Sequence, residues 1–245
     1  MKKTVIFVEG QTELIFVREY LLKWFEWQVD VECTKLTRDG DFEYAEYNAP
    51  FPTAEQHFQI IDVGNDVSVL SRIIKYEKRM RELGYEKFIG LRDMYSELYK
   101  SKSKSYDKDL VDEFITNAKD EIRYRTTQPD SIHVCFAIME TEAWFLGHHA
   151  LFERMDSRLT TGFIHQNLKI DLTAIDPETH IFHPSPLVGK ILDLVGLSYK
   201  KRQDEVNKIV GKFQQEDYLM LLEADKCQSF NQFHNTIHDK ISDNA

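Results

Sequence analysis

Short apolar segments that alternate with amphipathic segments constrain the fold of this chain more than any other feature. Residues 4–8 (TVIFV) and 131–139 (SIHVCFAIM) are mainly β-branched, aromatic or otherwise apolar, which is typical of strands buried on both faces. The predicted strands are 4–8, 27–34, 57–63, 87–95 and 131–139, and the predicted helices are 13–25, 66–82 and 107–123, with a hairpin around Asp39-Gly40. This alternation predicts an α/β domain with a mostly parallel central sheet flanked by helices.

Beyond about residue 150 the strand signals become sparse and helical spacing dominates. The predicted helices of this part are 186–196, 201–213, 215–224 and 228–241. We therefore expect two parts, an α/β domain over residues 1–148 and a helical extension over residues 149–245. Hydrophobic residues make up 42% of the chain, which is ample material for a packed core.

Three of the predicted strands end at a carboxylate: Glu9, Asp93 and Glu140. Ligands of open α/β sheets bind at the carboxyl ends of the strands, so neighbouring strands would bring these side chains to one crevice. Clustered carboxylates repel one another and are stable mainly when a divalent cation neutralises them. Oxygen ligands without a Cys/His set favour Mg²⁺ or Mn²⁺. The sequence therefore predicts a metal site.

Each of these acidic residues also has a structural interpretation. Glu9 precedes a glycine and a helix and would complement the helix dipole, while Asp93 would cap a turn or helix. Glu140 and Glu142 would be ordinary first-turn acids of the short helix that follows. Their shared placement at strand ends makes the metal hypothesis stronger than any one of the residues does.

Composition limits the compartment and the partners. The three cysteines are far apart and show no CxxC spacing, so neither a disulfide framework nor a zinc site is indicated. No segment approaches the roughly 20 apolar residues of a membrane span, and Glu9 interrupts the apolar run too early for a signal peptide. We expect a cytoplasmic protein without a membrane partner.

The net charge of −10 implies weak binding to nucleic acid by the chain alone, since phosphate-binding proteins are usually basic. Metal-site carboxylates account for part of this charge and are neutralised when ions bind. Basic residues also form two local clusters, which are either solvated faces or phosphate contacts: Arg72, Lys75, Lys78, Arg79 and Arg81, and Lys100, Lys102, Lys104 and Lys108.

The segment V-I-F-V-E-G-Q-T-E resembles the opening motif of Toprim domains, the catalytic module of topoisomerases, bacterial primases and OLD-family nucleases. In that family one strand delivers a Glu, and a later strand delivers an Asp-x-Asp pair. Glu9 matches the Glu, and Asp93 in G-L-R-D-M-Y matches the first Asp, whereas Tyr95 replaces the second. The resemblance implies a Toprim-like, Rossmann-type fold, and the Tyr95 departure argues against a topoisomerase or primase.

The combination of V-E-G-Q-T-E, R-D-M-Y and E-T-E-A-W is similar to a group of bacterial Toprim-like proteins of unknown function, the DUF4276 group. The similarity covers residues 3–148 and implies that Glu140 and Glu142 supply the missing carboxylates. The segments H-P-S-P (183–186) and S-Y-K-K (198–201) also resemble this group, but we assign them no chemistry and expect His183 to be structural.

The resemblance implies a Mg²⁺- or Mn²⁺-dependent nuclease that hydrolyses phosphodiester bonds of DNA or RNA. Glu9, Asp93, Glu140 and Glu142 would hold the metal. Glu13, one helical turn beyond Glu9, would be an outer ligand or general base, or else a partner of the helix dipole. The resemblance also implies a companion ATPase of the ABC or SMC-like type and a role in defence against foreign DNA.

Two alternatives remain open at this point. The first is a non-catalytic or partner-activated regulatory module, which the acidic charge and the altered Asp-x-Asp pair fit. The second is a primase-like nucleotidyltransferase that uses the same metal site. The sequence contains no GxxxxGK[ST] loop, so ATP hydrolysis by the chain itself is not expected.

Overall fold

The computed structural model describes residues 1–64 and 68–239. The chain divides into two compact units. Unit 1 comprises Met1–Arg92, Asp109–Phe136 and the described residues from Phe233 onward, and unit 2 comprises Asp93–Lys108 and Ala137–Gln232. Unit 2 includes residues on both sides of position 148, so the two compact units do not coincide with the predicted domains 1–148 and 149–245. The predicted domain boundary stays a prediction.

A six-stranded sheet is the centre of unit 1. Its strands are β1 (Lys2–Val8), β2 (Asp30–Leu36), β3 (Phe42–Tyr44), β4 (Gln56–Asp62), β5 (Lys87–Asp93) and β6 (Ile132–Ala137). The spatial order is β3-β2-β4-β1-β5-β6. β1 runs parallel to β4 and β5, β2 runs parallel to β4, and β3 pairs antiparallel with β2 as the predicted hairpin. The predicted α/β class with a mostly parallel sheet is confirmed.

β1 lies in the interior of the sheet, which explains its unbroken apolar sequence. Val5, Ile6, Phe7 and Val8 have no exposed surface, because neighbouring strands and packed helices enclose them. In the register of the sheet Val8 lies opposite Asp62 of β4 and Leu91 of β5, so the three strands end near the same level.

Helices flank the sheet, as the amphipathic segments predicted. In unit 1 these are α1 (Gln11–Trp24), α2 (Ser68–Glu82) and α4 (Lys108–Arg125), which follows α3 (Glu97–Lys102) of unit 2. Gly90 allows close packing of α2 on β5, since a Cβ there would lie 2.9 Å from both Val69 and Ile73. The predicted positions 66–67 of α2 lie outside the described residues.

Several predicted boundaries were wrong by a few residues, and two of these lie beside candidate site residues. Helix α1 begins at Gln11 rather than Glu13, and its N-cap is Gly10 in an extended conformation, so Thr12 is inside the helix and does not cap it. The strand predicted over 131–139 ends at Ala137, because Met139 adopts a left-handed backbone conformation (φ 64°) that a strand cannot contain. Glu140 therefore follows a turn rather than the last strand residue.

The rest of unit 2 is helical, as predicted for the C-terminal part. Its helices are α5 (Glu142–Gly147), α6 (Ala150–Met155), α7 (Thr161–Leu168), α8 (Pro177–His180), α9 (Pro184–Asp193), α10 (Gln203–Val210), α11 (Gln215–Glu223) and the first turns of α12 (Gln228–Ile237). Residues 240–241 of the last predicted helix lie outside the described part. Within the described ranges, no helix has both the length and the apolar character needed to cross a membrane.

The three cysteines are buried and unbonded, in agreement with the absence of a disulfide pattern in the sequence. Burial raises the pKa of the Cys33 thiol to about 12 and that of Cys135 to about 11. Such thiols are poor nucleophiles and poor metal ligands at neutral pH, so cysteine chemistry does not contribute to a candidate site.

Candidate metal centre

Three of the predicted carboxylates come together within unit 2. Asp93, Glu140 and Glu142 each offer one oxygen atom, and these atoms all lie within 4.8 Å of one another. All three side chains are buried, with relative exposures of 6%, 4% and 0%. We call these three residues the acidic cluster. Since buried carboxylates at this separation repel one another strongly, the cluster needs a compensating positive charge.

Asp93 is the last residue of β5, and it also organises the turn before α5. Its Oδ1 accepts hydrogen bonds from the backbone N–H of Thr141 (2.9 Å) and from Thr141 Oγ1 (3.0 Å). The structural alternative for Asp93, that of a turn-capping residue, is therefore correct. The two functions are compatible because a carboxylate oxygen that accepts a hydrogen bond can also coordinate a cation.

Glu140 is delivered by the turn that follows β6. Ser185 at the start of α9 donates its backbone N–H to Glu140 Oε2 (2.8 Å). The other oxygen, Oε1, lies 3.0 Å from Lys201 Nζ and 3.7 Å from His183 Nε2. The left-handed conformation of Met139 directly precedes Glu140, and strained backbone of this kind is concentrated at functional sites.

Glu142 lies in the first turn of α5, as its structural interpretation predicted, but its surroundings differ from those of an ordinary helix acid. Tyr199 donates its hydroxyl to Glu142 Oε1 (2.6 Å), and Lys201 Nζ lies 3.1 Å from the same oxygen. Oε2 is buried and has no hydrogen-bond partner in the part of the chain that the structure describes. Burial raises the pKa of Glu142, the Lys201 charge lowers it, and the nearby Glu140 raises it further.

These observations fit a bound cation. An all-oxygen set of three carboxylates is the ligand type that hard divalent ions prefer. The unpartnered Oε2 of Glu142 is an acceptor without a donor, which a buried site tolerates poorly. The cluster could therefore hold a metal ion, and in the structure Lys201 contacts two of its three carboxylates.

Cationic and aromatic side chains surround the acidic cluster. The ring of His183 stacks on Tyr95 at 4.3 Å between centroids, and Lys100 Nζ lies 4.8 Å from the centre of the Tyr95 ring. His183 is well exposed, with 45% of its side chain accessible. At position 95 the chain therefore has an aromatic side chain, which forms a platform for His183 and Lys100.

Glu9 and Glu13 belong to unit 1. Glu9 follows the last residue of β1 and is half-buried, whereas Glu13 lies in the first turn of α1 and is only 4% exposed. Both residues have interaction partners. Their position at the carboxyl end of a central strand agrees with the predicted topology, but their roles as ligand and general base stay predictions.

Sequence analysis missed three residues that contact the acidic cluster: Tyr199, Lys201 and the backbone N–H of Ser185. They lie in the two segments, H-P-S-P and S-Y-K-K, to which it assigned no chemistry. Buried acids call for a nearby cation, but with 31 Lys and Arg residues in the chain nothing in the spacing distinguishes Lys201. Its contact depends on tertiary packing over 61 positions of sequence separation.

A second buried carboxylate in unit 2, Glu178 of α8, has quite different partners. Its Oε1 accepts hydrogen bonds from Trp144 Nε1 (3.0 Å) and from the Ser229 hydroxyl, and its Oε2 accepts from the Ser229 backbone N–H (3.2 Å). Burial raises its pKa to about 7. Every oxygen of this carboxylate has a neutral donor, so it is a structural group of the core.

Comparisons of the chain with protein-family models, with curated proteins and with solved structures find no match. The resemblance therefore depends on the motifs quoted above, and the family assignment stays a prediction.

Proposed function

We propose that this chain is a divalent-metal-dependent nuclease of Toprim type, which uses Mg²⁺ or Mn²⁺ to hydrolyse phosphodiester bonds of DNA or RNA. The observation that carries the proposal is the acidic cluster, in which Glu142 is fully buried and keeps one oxygen without a partner. Exposed acidic patches are common on proteins, but three buried carboxylates within 4.8 Å are costly unless they have a use.

The residues of the cluster divide the work in this proposal. Asp93, Glu140 and Glu142 hold the ion, and their buried positions keep bulk water from competing for it. A bound divalent ion supplies a polarised water and charge neutralisation at the scissile phosphate. Glu9 as a further ligand and Glu13 as the proton acceptor from water rest on the resemblance and on their place after β1.

Nucleic acid is the substrate class that the surroundings of the cluster favour. Lys100, His183 and Lys201 offer hydrogen-bond donors suited to phosphate oxygens, and Tyr95 and His183 offer aromatic surface. The net charge of −10 makes autonomous binding weak, so a companion ATPase of the ABC or SMC-like type would bring the chain to its substrate, for example in defence against foreign DNA.

One observation favours a second function, that of a partner-activated or non-catalytic module. Lys201 Nζ lies within 3.1 Å of both Glu140 and Glu142, so the chain already compensates part of the acidic charge without a metal. A module of this kind would keep the cluster as a structural ion pair. It would bind no divalent ion unless a partner moved Lys201.

Calorimetry with Mg²⁺ and Mn²⁺ tests the proposal first, on the wild type, on Asp93→Asn and on Asp193→Asn. Asp193 is a matched control because it is an exposed acid of the same unit. We expect binding in the wild type and in Asp193→Asn, and its loss in Asp93→Asn. Nuclease assays on single- and double-stranded DNA and RNA, with and without EDTA, should follow the same pattern.

Two results would contradict the proposal. Cleavage that persists in EDTA and in Asp93→Asn would come from another site or a contaminant. Elongation of strands that requires added nucleotides would instead indicate the primase-like nucleotidyltransferase. Glu9→Ala and Glu13→Gln test the remaining roles, since loss of metal binding in the first and loss of cleavage with intact binding in the second are expected.

A further inference from the structure

We infer that Lys201 is an exchangeable internal cation of the acidic cluster. In the metal-free chain its ammonium group bridges Glu140 and Glu142, and it leaves their oxygens when a divalent ion binds. This inference rests on the metal site of the proposed function. It adds that competition with Lys201 sets the affinity of that site for a divalent ion. The experiment below separates the failure of one from the failure of the other.

The contacts of Lys201 show why it and a metal ion compete. Its Nζ lies 3.0 Å from Glu140 Oε1 and 3.1 Å from Glu142 Oε1, so it bridges two of the three carboxylates that form the cluster. A divalent ion among the same oxygens would be only a few ångströms from the ammonium group. Like charges at that distance in a buried site repel strongly, so both cannot occupy it.

Lys201 is nevertheless an incomplete counter-ion. Its ammonium group contacts Glu140 and Glu142, two of the three carboxylates of the cluster, and among the described residues the buried Oε2 of Glu142 has no hydrogen-bond partner. An ammonium group has three N–H donors, but all three are on one nitrogen, so they reach only acceptors that lie around that atom. A divalent ion brings twice the charge and accepts more oxygen ligands, so it satisfies the cluster better.

The segment 198–202 holds Lys201 in position. The carboxylate of Glu205 accepts hydrogen bonds from the Ser198 hydroxyl (2.6 Å), from the Lys200 N–H (2.6 Å) and from the Arg202 N–H (3.3 Å). These bonds bracket Lys201, whose own backbone is left-handed (φ 56°). A non-glycine residue in this conformation costs energy, and such strain is retained where it serves a function.

The side chain of Lys201 also has a path away from the cluster. It is 35% exposed, whereas Glu140 and Glu142 are 6% and 0% exposed at their side chains. Lysine has a flexible four-carbon stem and a strongly hydrated charge. The ammonium group can therefore move into solvent while the backbone, fixed by Glu205, stays in place.

The test is the affinity for Mg²⁺ and Mn²⁺, measured by calorimetry on the wild type, Lys201→Met, Lys201→Arg and Lys200→Met. Lys200→Met is the matched control, since Lys200 is adjacent, exposed and engaged only through its backbone N–H. We expect Lys201→Met to bind about 10- to 100-fold more tightly than the wild type. Lys201→Arg, which retains the charge, and Lys200→Met should stay within a few-fold of it.

Thermal melting gives a readout that is independent of binding heat. Without metal, Lys201→Met should melt below Lys200→Met, because Glu140 and Glu142 lose their counter-ion, and saturating Mg²⁺ should remove this difference. In the wild type, the NMR signal of the Lys201 ε-methylene group should move to the position of exposed lysines when Mg²⁺ is added. This last measurement is made on the wild type. Lys201→Arg is used only to identify which NMR signal belongs to Lys201.

Each outcome has a defined meaning. Tight binding in Lys201→Met together with weak or absent binding in the wild type supports the exchange. Equal or weaker binding in Lys201→Met, or an ε-methylene signal that stays in place while metal binds, overturns the exchange but leaves the metal site and the proposed function intact. Absence of binding in all four proteins overturns both.

Discussion

Two buried carboxylates of unit 2, Glu178 and Glu142, look alike in burial but differ in chemistry. Glu178 is 3% exposed, and each of its oxygens accepts from a neutral donor of Trp144 or Ser229. Glu142 is 0% exposed, but it lies beside two other carboxylates, contacts an ammonium group and keeps one oxygen without a partner.

The difference teaches how to separate a structural buried acid from a candidate site. A carboxylate surrounded by neutral donors needs nothing further, and burial simply raises its pKa, here to about 7. A group of three carboxylates in which Glu142 keeps one buried oxygen without a hydrogen-bond partner among the described residues is instead a candidate for binding a cation.

The isosteric variants Glu142→Gln and Glu178→Gln should differ most in metal binding. Glu142→Gln removes one of three charged ligands, so we expect the affinity for Mn²⁺ to fall by at least about 100-fold. Glu178→Gln should leave this affinity unchanged, because Glu178 is outside the cluster. Calorimetry on both variants checks the prediction. Equal losses would mean that the metal responds to general disturbance of unit 2.

The pH dependence of stability should single out Glu178. Its pKa rises from 4.5 to about 7 in the folded chain, so between these values the unfolded chain releases a proton that the folded chain retains. Stability from this group is therefore fully present below pH 4.5 and is lost as the pH rises towards 7. The shift amounts to about 3 kcal/mol in the free energy of unfolding.

Urea unfolding of the wild type and of Glu178→Gln at pH 4 and pH 8 measures this loss. The difference in unfolding free energy between the two proteins should change by about 3 kcal/mol between the two pH values, in favour of the variant at pH 8. If the difference in unfolding free energy is the same at both pH values, Glu178 has the same pKa in the folded and the unfolded chain. Glu178 could then no longer serve as the structural buried acid in the comparison with Glu142.

Ser229→Ala should destabilise the chain by about 2 kcal/mol. The hydroxyl of Ser229 donates to Glu178 and accepts from Trp144 Nε1 (2.9 Å) and from the Ile138 N–H (3.2 Å), and alanine provides none of these contacts. Ser157→Ala, at an exposed position of the same unit, is the control. Chemical unfolding of both checks the prediction, and equal stability would mean that water replaces the hydroxyl.

Much of the fold was accessible from the sequence because each strand carries its own signal. β1 and β4 are buried on both faces and lack alternation, and α2 and α4 repeat apolar residues at helical spacing. The end of β6 was not accessible, because the left-handed Met139 carries no mark that distinguishes it from a strand residue.

The acidic residues of the site could be predicted in part from the sequence, whereas their hydrogen-bond and ion-pair partners could not. Asp93 ends β5, and Glu140 and Glu142 follow the neighbouring β6. Strand ends predicted Asp93 and Glu140 at one crevice if their strands were neighbours, whereas Glu142 entered the prediction through the family resemblance. Tyr199 and Lys201 reach the cluster from a loop between α9 and α10, whose placement depends on the packing of helices that no local pattern encodes. The distinction between Glu142 and Glu178 likewise requires the identity of their donors.

Tyr199→Phe gives the smallest but most discriminating effect. It removes the hydroxyl that donates to Glu142 Oε1 and retains the buried ring, so the carboxylate loses orientation without losing charge. We expect the affinity for Mn²⁺ to fall about tenfold, as for other groups that orient a metal ligand. Lys201 contacts the same oxygen, yet its removal should raise the affinity. Opposite signs at one oxygen would separate a positioning donor from a competing cation, whereas two changes of the same sign would mean that both residues merely support the packing around Glu142.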